Sequence, residues 1–333
     1  MKKTTAIISA AALLALCVPA FSGCTSGKVN FTLSEEGGKH YVVSCSGIGH
    51  SGEYEIPAYY GEGENYAPVT AIAEDGFAST KFKKIKIPET VTEIGAAAFS
   101  FCRSLETVEF ADGINLKTFS RAMFGQCNNL QEIKIPDSVT ELDGLVFYGC
   151  SSLSSVTMPS VEVIGTRAFE ECTALESITL PQTLTTIGIK AFYLAGLKSL
   201  EIPDSVHDIK TGDGENETTV RGLGYASFEN CVNLETVKIG NGIEIISSGA
   251  FGYCRKLKEV HIPLSVKEIE GAYYEDGVFR CGHAFYGNSA LTDIYYGGTE
   301  EQWSNIRIES KSVYANGMTM DNSALTRAEK HYN

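Results

Sequence analysis

Apolar and polar positions recur along most of the chain with a period of about 23 residues. Each repeat is marked by a phenylalanine that usually follows a small residue, and an aliphatic or aromatic side chain stands five residues before it in every regular copy. The markers are Phe77, Phe99, Phe124, Phe147, Phe169, Phe192, Phe228, Phe251 and Phe285. A period of about 20 to 50 residues is typical of solenoids, so the pattern predicts a mainly β repeat solenoid of about nine coils.

Two segments make up each repeat. The first, L-x-x-V-x-I, alternates inward and outward as a strand does, and a proline such as Pro136 often ends it because proline cannot donate to a strand ladder. The second, V-x-x-I-G-x-x-A-F, is predicted to run back along the opposite side, with glycine or alanine leaving room at a corner. Each coil buries its aliphatic side chains only against its neighbours, so we expect parallel stacking of the coils.

The repeat resembles the BspA-like class of bacterial leucine-rich repeats. The resemblance covers roughly Phe31 to the C-terminus and rests on Leu130, Ile133, Ile135, Pro136, Val139, Leu142, Phe147, Cys150 and their equivalents. It implies a right-handed leucine-rich repeat solenoid and a surface adhesion or host-interaction role. A repeat scaffold hosts many partners, however, so the resemblance is specific for the fold and not for one ligand.

The first 23 residues are predicted to be a signal peptide. Lys2 and Lys3 precede an apolar run, Ala6–Val18, which is too short to span a membrane. The run ends in Phe21–Cys24, a sequence similar to the lipobox of bacterial lipoproteins, although those usually carry leucine where Phe21 stands. The resemblance implies acylation of Cys24, which becomes the membrane anchor, with 24–30 as a lipidated tether. An ordinary secretory signal with a coincidental Cys24 is the alternative.

The two ends of the array are expected to be capped. Residues 31–60 read as an N-terminal β-hairpin cap, 61–296 as the leucine-rich repeats and 297–333 as a C-terminal cap. Thr299 and Gln302 have capping-box spacing and predict a short helix, and Trp303, the only tryptophan, is expected to cover the last coil. The tether and the N-terminal cap together are too small to build a separate core.

Cysteines stand three residues after six of the markers, at Cys102, Cys127, Cys150, Cys172, Cys231 and Cys254. Stacking places them in one row, either as buried free thiols or as disulfides between adjacent coils, which export would permit. Thr80, Ala195 and Asn288 fill the same slot elsewhere, so the slot requires a small residue rather than a pair and favours free thiols. The cysteines lack C-x-x-C pairing, which argues against zinc, and we predict no bound metal.

Two insertions interrupt the period. Nineteen residues separate Ile209 from Phe228 and sixteen separate Ile269 from Phe285, where the regular offset is five. Counted from these isoleucines, both insertions, near 210–224 and 270–282, enter at the same corner, so their loops should emerge side by side. Insertions on one face often mark the binding face of a repeat protein.

The candidate ligand-binding residues lie in these loops. They are Asp213, Glu215 and Glu217 in the first loop, and Tyr273, Tyr274, Glu275 and Phe279 in the second. Exposed aromatic rings suit protein or glycan recognition, although the loops could instead pack over the neighbouring coil. The alternating acids resemble the start of a calcium loop, but the glutamate of its twelfth position is absent.

Charge and motifs narrow the function further. The net charge of −14 argues against nucleic acid and against docking of the folded part on anionic lipid. The sequence holds no H-E-x-x-H, G-x-S-x-G or phosphate-loop motif, so we predict no catalytic residues and no cofactor. The outward strand positions alternate in charge with no aromatic stripe. We therefore expect an exported, monomeric lipoprotein that binds a protein at the cell surface; a glycan- or nutrient-capture lipoprotein is the alternative.

Overall fold

The computed structural model describes residues 28–46, 50–211, 218–275, 278–309, 311–313 and 319–333. The signal peptide and Cys24 lie outside the described residues, as do Asp213, Glu215 and Glu217. Two helices are present in the described part, α1 Glu300–Ser304 and α2 Ser323–Arg327, together with a 3₁₀ turn at Gly63–Asn65. Neither they nor any other helix in the described part is long and apolar enough to cross a membrane.

The remaining elements are short strands that alternate between two ladders or form hairpins. In chain order they are β1 Lys28–Ser34, β2 His40–Ser46, β3 Ser51–Glu55, β4 Tyr59–Tyr60, β5 Ala67–Ile72, β6 Lys81–Ile87, β7 Glu93–Ile94, β8 Thr107–Phe110, β9 Thr118–Phe119, β10 Glu132–Lys134, β11 Glu141–Leu142, β12 Ser155–Thr157, β13 Val163–Ile164, β14 Thr186–Ile187, β15 Ser199–Glu201, β16 Ile209–Thr211, β17 Thr218–Val220, β18 Thr236–Lys238, β19 Ile245–Ile246, β20 Glu259–Ile262, β21 Glu268–Ile269, β22 Tyr273–Glu275, β23 Val278–Cys281, β24 Asp293–Tyr296, β25 Arg307–Ile308, β26 Lys311–Val313, β27 Thr319–Asp321 and β28 Glu329–Tyr332.

One ladder, here called the strand face, is built from the L-x-x-V-x-I segments. Its parallel pairs run β3–β6–β8, then β10–β12, then β15–β18–β20–β24–β28. Between these sheets, backbone hydrogen bonds such as Gln131 N–H to Glu106 O (3.3 Å) and Lys198 N–H to Glu176 O (2.9 Å) join neighbouring coils. The predicted parallel stacking of the strand segments is confirmed.

The second ladder is built from the V-x-x-I-G segments. It runs β2–β5–β7, then β9–β11–β13–β14, then β19–β21–β25, in parallel and with the aliphatic positions in register. At the corner, a Cβ added to Gly188 would lie 2.6 Å from the Gly165 carbonyl carbon. Such contact between the backbones of adjacent coils explains the recurring glycine, as the sequence predicts.

The marker phenylalanines form the centre of the core. All nine are fully buried, and each ring stacks on the next with centroids 5.0 to 5.7 Å apart, from Phe77 through to Phe285. Even the coils lengthened by insertions keep this spacing, because Phe192 and Phe228 lie 5.1 Å apart and Phe251 and Phe285 lie 5.4 Å apart. The register deduced from the marker is therefore confirmed.

The six repeat cysteines are free, buried thiols. Each Sγ donates to the carbonyl oxygen of the marker phenylalanine in the preceding coil, at 3.0 to 3.3 Å, as Cys150 does to Phe124. The same carbonyls also accept a backbone N–H within their own coil, as Phe124 O does from Cys127 N–H at 3.1 Å, so each thiol adds a second hydrogen bond that links neighbouring coils. Desolvation by burial raises the pKa of Cys150 and of Cys231 to about 12, so both thiols stay protonated. The free-thiol prediction is confirmed over the disulfide alternative.

Both ends of the array differ from the predicted boundaries. Strand β1 begins at Lys28, three residues inside the predicted tether, and β3, inside the predicted N-terminal cap, already pairs with β6. At the other end, inside the predicted C-terminal cap, β25 extends the second ladder and β28 extends the strand face. The capping box of Thr299 and Gln302 at α1 is confirmed, and Trp303 packs edge-on against Tyr296, with ring centroids 5.3 Å apart.

Candidate functional site

The first insertion folds as an antiparallel hairpin, β16–β17, in which Ile209 pairs with Val220 and Thr211 with Thr218. The assignment of Ile209 to the second ladder is wrong. Leu223 forms the parallel bridge to Ile187 instead, and Leu223 is the residue five before Phe228. Residues 208–221 are therefore the inserted ones, and they enter before the aliphatic position rather than after it.

The second insertion is also an antiparallel hairpin, β22–β23, but it enters at a different point of its coil. Ile269 does occupy the second ladder, paired with Ile246, so the extra residues 271–281 follow the aliphatic position. The backbones of Tyr273, Tyr274 and Glu275 form β22, and Phe279 is the register partner of Tyr274 on β23. The prediction that both insertions share one corner is wrong, since one precedes the ladder position and the other follows it.

The roots of the two hairpins, meaning the residues that flank their strands, are nevertheless joined by ion pairs. Arg221, which directly follows β17, donates from Nη1 to Asp208 Oδ2 and from Nη2 to Glu270 Oε1, both at 2.9 Å. Asp208 directly precedes β16 and Glu270 lies three residues before β22. Burial alone would lower the pKa of the Arg221 guanidinium, but the hydrogen bond to Asp208 and the charge of Glu270 outweigh burial and raise it. One cation thus links both roots across the regular coil between them.

Backbone donors hold the two carboxylates of this network in place. The Gly222 N–H donates to Asp208 Oδ1 at 2.9 Å, and the N–H and hydroxyl of Ser248 donate to Glu270 Oε2 at 3.0 and 3.2 Å. The side chains of Asp208, Arg221 and Glu270 are 21%, 25% and 16% exposed. In this network, here called the root bridge, each carboxylate accepts hydrogen bonds from both Arg221 and a backbone N–H, and all three side chains are largely shielded from solvent.

The root of the second hairpin also rests on the C-terminal segment. The buried Asn322 donates from Nδ2 to Glu309 O at 2.8 Å and accepts the Phe285 N–H at 3.0 Å. Glu309 in turn accepts the Gly271 N–H, the first amide of the insertion, at 3.2 Å. These hydrogen bonds tie the first residue of the second insertion to the C-terminal segment.

The strand face carries a row of Lys–Glu pairs between neighbouring coils. Representative distances are 3.0 Å for Lys83–Glu106 and 2.7 Å for Lys238–Glu201. The predicted pairing of opposite charges is confirmed, but the side chains are 43% to 69% exposed in these two pairs. Exposed pairs stabilise a fold by less than about 1 kcal/mol each, so most of this face is a solvated ladder.

An aromatic column on the strand face was not expected. His261, Tyr295 and His331 occupy equivalent positions on β20, β24 and β28, and their rings stack with centroids 4.7 and 4.5 Å apart. They line a cleft of about 290 Å³ together with Lys238 and Tyr332. The expectation of no aromatic stripe is wrong at this end, because residues 329–332, predicted as part of the C-terminal cap, form a strand that places His331 beside Tyr295.

A shallow groove was also missed. It encloses about 680 Å³ beside β8 and β10 and is lined by groups that include Glu109, Phe110, Asp112, Lys134 and Asp137. It lies where the spacing between Phe99 and Phe124 stretches to 25 residues, which makes the loop after β8 longer. The lengthened period is the sequence signal that could have located it.

One cluster of possible metal ligands is found among the described residues, formed by Asp293, Glu329 and His331 beside the aromatic column. No motif in the sequence indicated it, because Asp293 lies 36 residues before Glu329 and meets Glu329 and His331 only when β24 pairs with β28.

Comparison with known proteins agrees with the repeat pattern. The profile of the BspA type leucine rich repeat region matches residues 70–161, 146–213 and 215–279, in six copies. No curated protein matches the chain in sequence.

Solved structures with a similar chain path come from several bacteria. A leucine rich cell surface protein from Faecalibacterium prausnitzii is 24% identical over 86% of this chain and 98% of its own, with a TM-score of 0.48. A leucine-rich repeat protein from Bacteroides ovatus is 24% identical over 83% and 82%, with a TM-score of 0.39. The pneumococcal vaccine antigen PcpA is 18% identical over 86% and 96%, with a TM-score of 0.34. The family assignment itself rests on the repeat profile.

Proposed function

Because the chain belongs to the BspA type leucine-rich repeat family, we propose that it is a non-catalytic binding module carried on the bacterial surface. The module is a right-handed solenoid of about nine coils that presents the two hairpins to a partner protein. Export through the signal peptide and acylation of Cys24 anchor the monomer to the membrane, with residues 24–27 as the remaining tether. The role is adhesion to a protein or host-surface partner.

The root bridge is the observation that supports this proposal. A hairpin of two short strands is marginally stable on its own, so a recognition hairpin needs support from the scaffold. Arg221 supplies that support to both hairpins at once, through Asp208 on one side and Glu270 on the other. Fixing the two roots relative to each other lowers the ordering cost that binding would otherwise incur.

The composition of the hairpins indicates the chemistry of the partner. The first contains Asp213, Glu215 and Glu217, and the second contains Tyr273, Tyr274, Glu275 and Phe279. Acidic groups next to aromatic side chains suit a basic protein surface with apolar anchor points, because aromatic residues are the usual energetic centres of interfaces. The aromatic column favours the second candidate, capture of a glycan, because the column lines a cleft of about 290 Å³ in which the partly exposed Tyr295 ring offers both an apolar edge and a hydroxyl group.

The test uses residues 25–333, which contain every described residue, against a panel of extracellular-matrix proteins, host cells and glycans. A trimmed variant lacks 208–221 and 271–281, which shortens the marker spacings Phe192–Phe228 and Phe251–Phe285 from 36 and 34 residues to 22 and 23, close to the regular period. His207 and Gly222 already touch, since a Cβ on Gly222 would lie 2.4 Å from the His207 carbonyl carbon, so the first deletion joins neighbouring atoms.

A matched control removes acidic charge from the strand face by Glu176→Gln, Glu201→Gln and Glu235→Gln, while both hairpins stay intact. We expect a protein ligand that binds the intact chain and the control, and that the folded, trimmed variant loses. Equal binding by the intact and trimmed chains would overturn the hairpin proposal. Binding to glycans alone, lost on Tyr295→Ala, would establish the capture function in its place.

A further inference from the structure

Three metal-ligating side chains meet at the C-terminal end of the strand face. Asp293 lies on β24, and Glu329 and His331 lie on β28; register places Glu329 directly opposite Asp293. One ligand atom from each of the three lies within 4.8 Å of the others, and His331 Nε2 is 2.9 Å from Asp293 Oδ1. Two ligands of one tetrahedral zinc ion are roughly 3.3 Å apart, so small side-chain rotations suffice to close this set around an ion.

The surroundings hold two of these groups in a ligating orientation. Thr292 Oγ1 donates to Asp293 Oδ2 at 2.8 Å, which leaves Oδ1 directed toward His331. The His331 ring stacks on Tyr295 with centroids 4.5 Å apart and planes 17° apart. Such outer contacts orient ligands in metal sites and strengthen binding.

The local charge favours a cation. Glu259, Asp293 and Glu329 are register partners on three adjacent strands, so three carboxylates stand in a row, and like charges directly opposite destabilise a sheet. Imidazole nitrogens contact two of them, His261 Nε2 at 2.5 Å from Glu259 Oε1 and His331 Nε2 at 2.9 Å from Asp293 Oδ1. Lys330, the nearest lysine in sequence, donates to the carbonyl oxygens of Thr326 and Ala328, at 3.2 and 2.8 Å. Its ammonium group is therefore engaged with backbone and does not neutralise the row.

We propose that Asp293, Glu329 and His331 form a binding site for a divalent transition-metal ion, with zinc as the best fit and water in the remaining positions. One imidazole nitrogen and two carboxylate oxygens match the ligand preferences of zinc and its neighbours in the first transition row. Calcium and magnesium fit poorly because they prefer six or more oxygen ligands. This site is independent of the hairpins, so its test does not depend on the proposed function.

The test is calorimetric titration of residues 25–333 with ZnCl₂ and, separately, CaCl₂, followed by CoCl₂ absorption spectroscopy. We expect one zinc ion per chain, no comparable calcium binding, and a cobalt spectrum without thiolate charge-transfer bands. His331→Gln and Glu329→Gln should each weaken zinc binding by at least about tenfold, and Thr292→Val by roughly 10–100-fold through loss of orientation.

His261→Gln is the matched control, because His261 also stacks on Tyr295 but is not a member of the cluster. It should leave zinc affinity unchanged within about twofold, while circular dichroism verifies that every variant is folded. The proposal fails if zinc does not bind, if His331→Gln and His261→Gln weaken it equally, or if cobalt shows thiolate bands.

Discussion

Replacing Arg221 with methionine tests the root bridge directly. Methionine keeps the length and apolar stem of the side chain but removes both 2.9 Å hydrogen bonds to Asp208 and Glu270. Exposed ion pairs stabilise a fold by less than about 1 kcal/mol, whereas breaking a buried pair costs about 3–5 kcal/mol. The three side chains are 16% to 25% exposed, and both carboxylates keep backbone donors, so we expect a cost of about 2 kcal/mol.

The loss should be local to the hairpin roots. Amide exchange measured by mass spectrometry should accelerate in β16, β17 and the first residues of the second insertion, by roughly thirtyfold for 2 kcal/mol. Lys258→Met is the control, because Lys258 makes a 2.9 Å pair with Glu235 whose side chains are 60% and 47% exposed. Arg221→Lys should restore only part of the protection, since a lysine ammonium cannot reproduce the guanidinium geometry that directs one N–H to Asp208 and another to Glu270. Equal effects of Arg221→Met and Lys258→Met would refute the root bridge.

Three further predictions concern the scaffold. Phe169→Leu and Phe192→Leu should couple by about 0.5–1.5 kcal/mol in urea unfolding because their rings stack at 5.0 Å, whereas Phe169→Leu and Phe251→Leu should be additive; equal coupling in both pairs would contradict the ladder. Cys150 and Cys231, buried with pKa values of about 12, should resist alkylation at pH 8 until the chain unfolds. Alkylation of either cysteine in the folded chain, located by mass spectrometry, would contradict this prediction. Burial raises the pKa of Glu229 to about 7, so the folded state holds a proton that the unfolded chain releases near pH 4.5, and stability falls as pH rises between these values. This loss of stability is roughly 3 kcal/mol, and Glu229→Gln should remove it, as measured by urea midpoints at pH 5 and pH 8. The same pH dependence in the variant would show that Glu229 does not cause the loss.

The periodicity predicts the repeat core because each coil meets only its neighbours. A fixed offset in sequence therefore becomes a fixed position in space, as for Cys150 beneath the carbonyl of Phe124. The same rule could have placed the first insertion correctly. Leu223 stands at the regular offset from Phe228, but Ile209 follows the preceding strand more closely and is equally aliphatic. Pairing of β16 with β17 resolves the choice, because it engages the Ile209 backbone in the hairpin.

The candidate sites were less predictable because they depend on contacts distant in sequence. Arg221 and Glu270 are 49 residues apart, and their pairing follows from hairpin closure, which periodicity does not encode. The strand β28 lacks the usual proline and marker phenylalanine, so its resemblance to a repeat strand was hidden. Its histidine was visible, however, and aligning His331 with Tyr295 and His261 would have predicted the aromatic column.

The most direct test of the binding proposal is an amide-exchange footprint of the chain in complex with the tightest protein ligand found in the panel. We expect protection of Ile209–Val220 and Tyr273–Cys281, with exchange in the central strands β10 and β12 unchanged between free and bound states. Protection confined to the strand face, with both hairpins exchanging as in the free chain, would contradict the proposal that the hairpins form the binding surface.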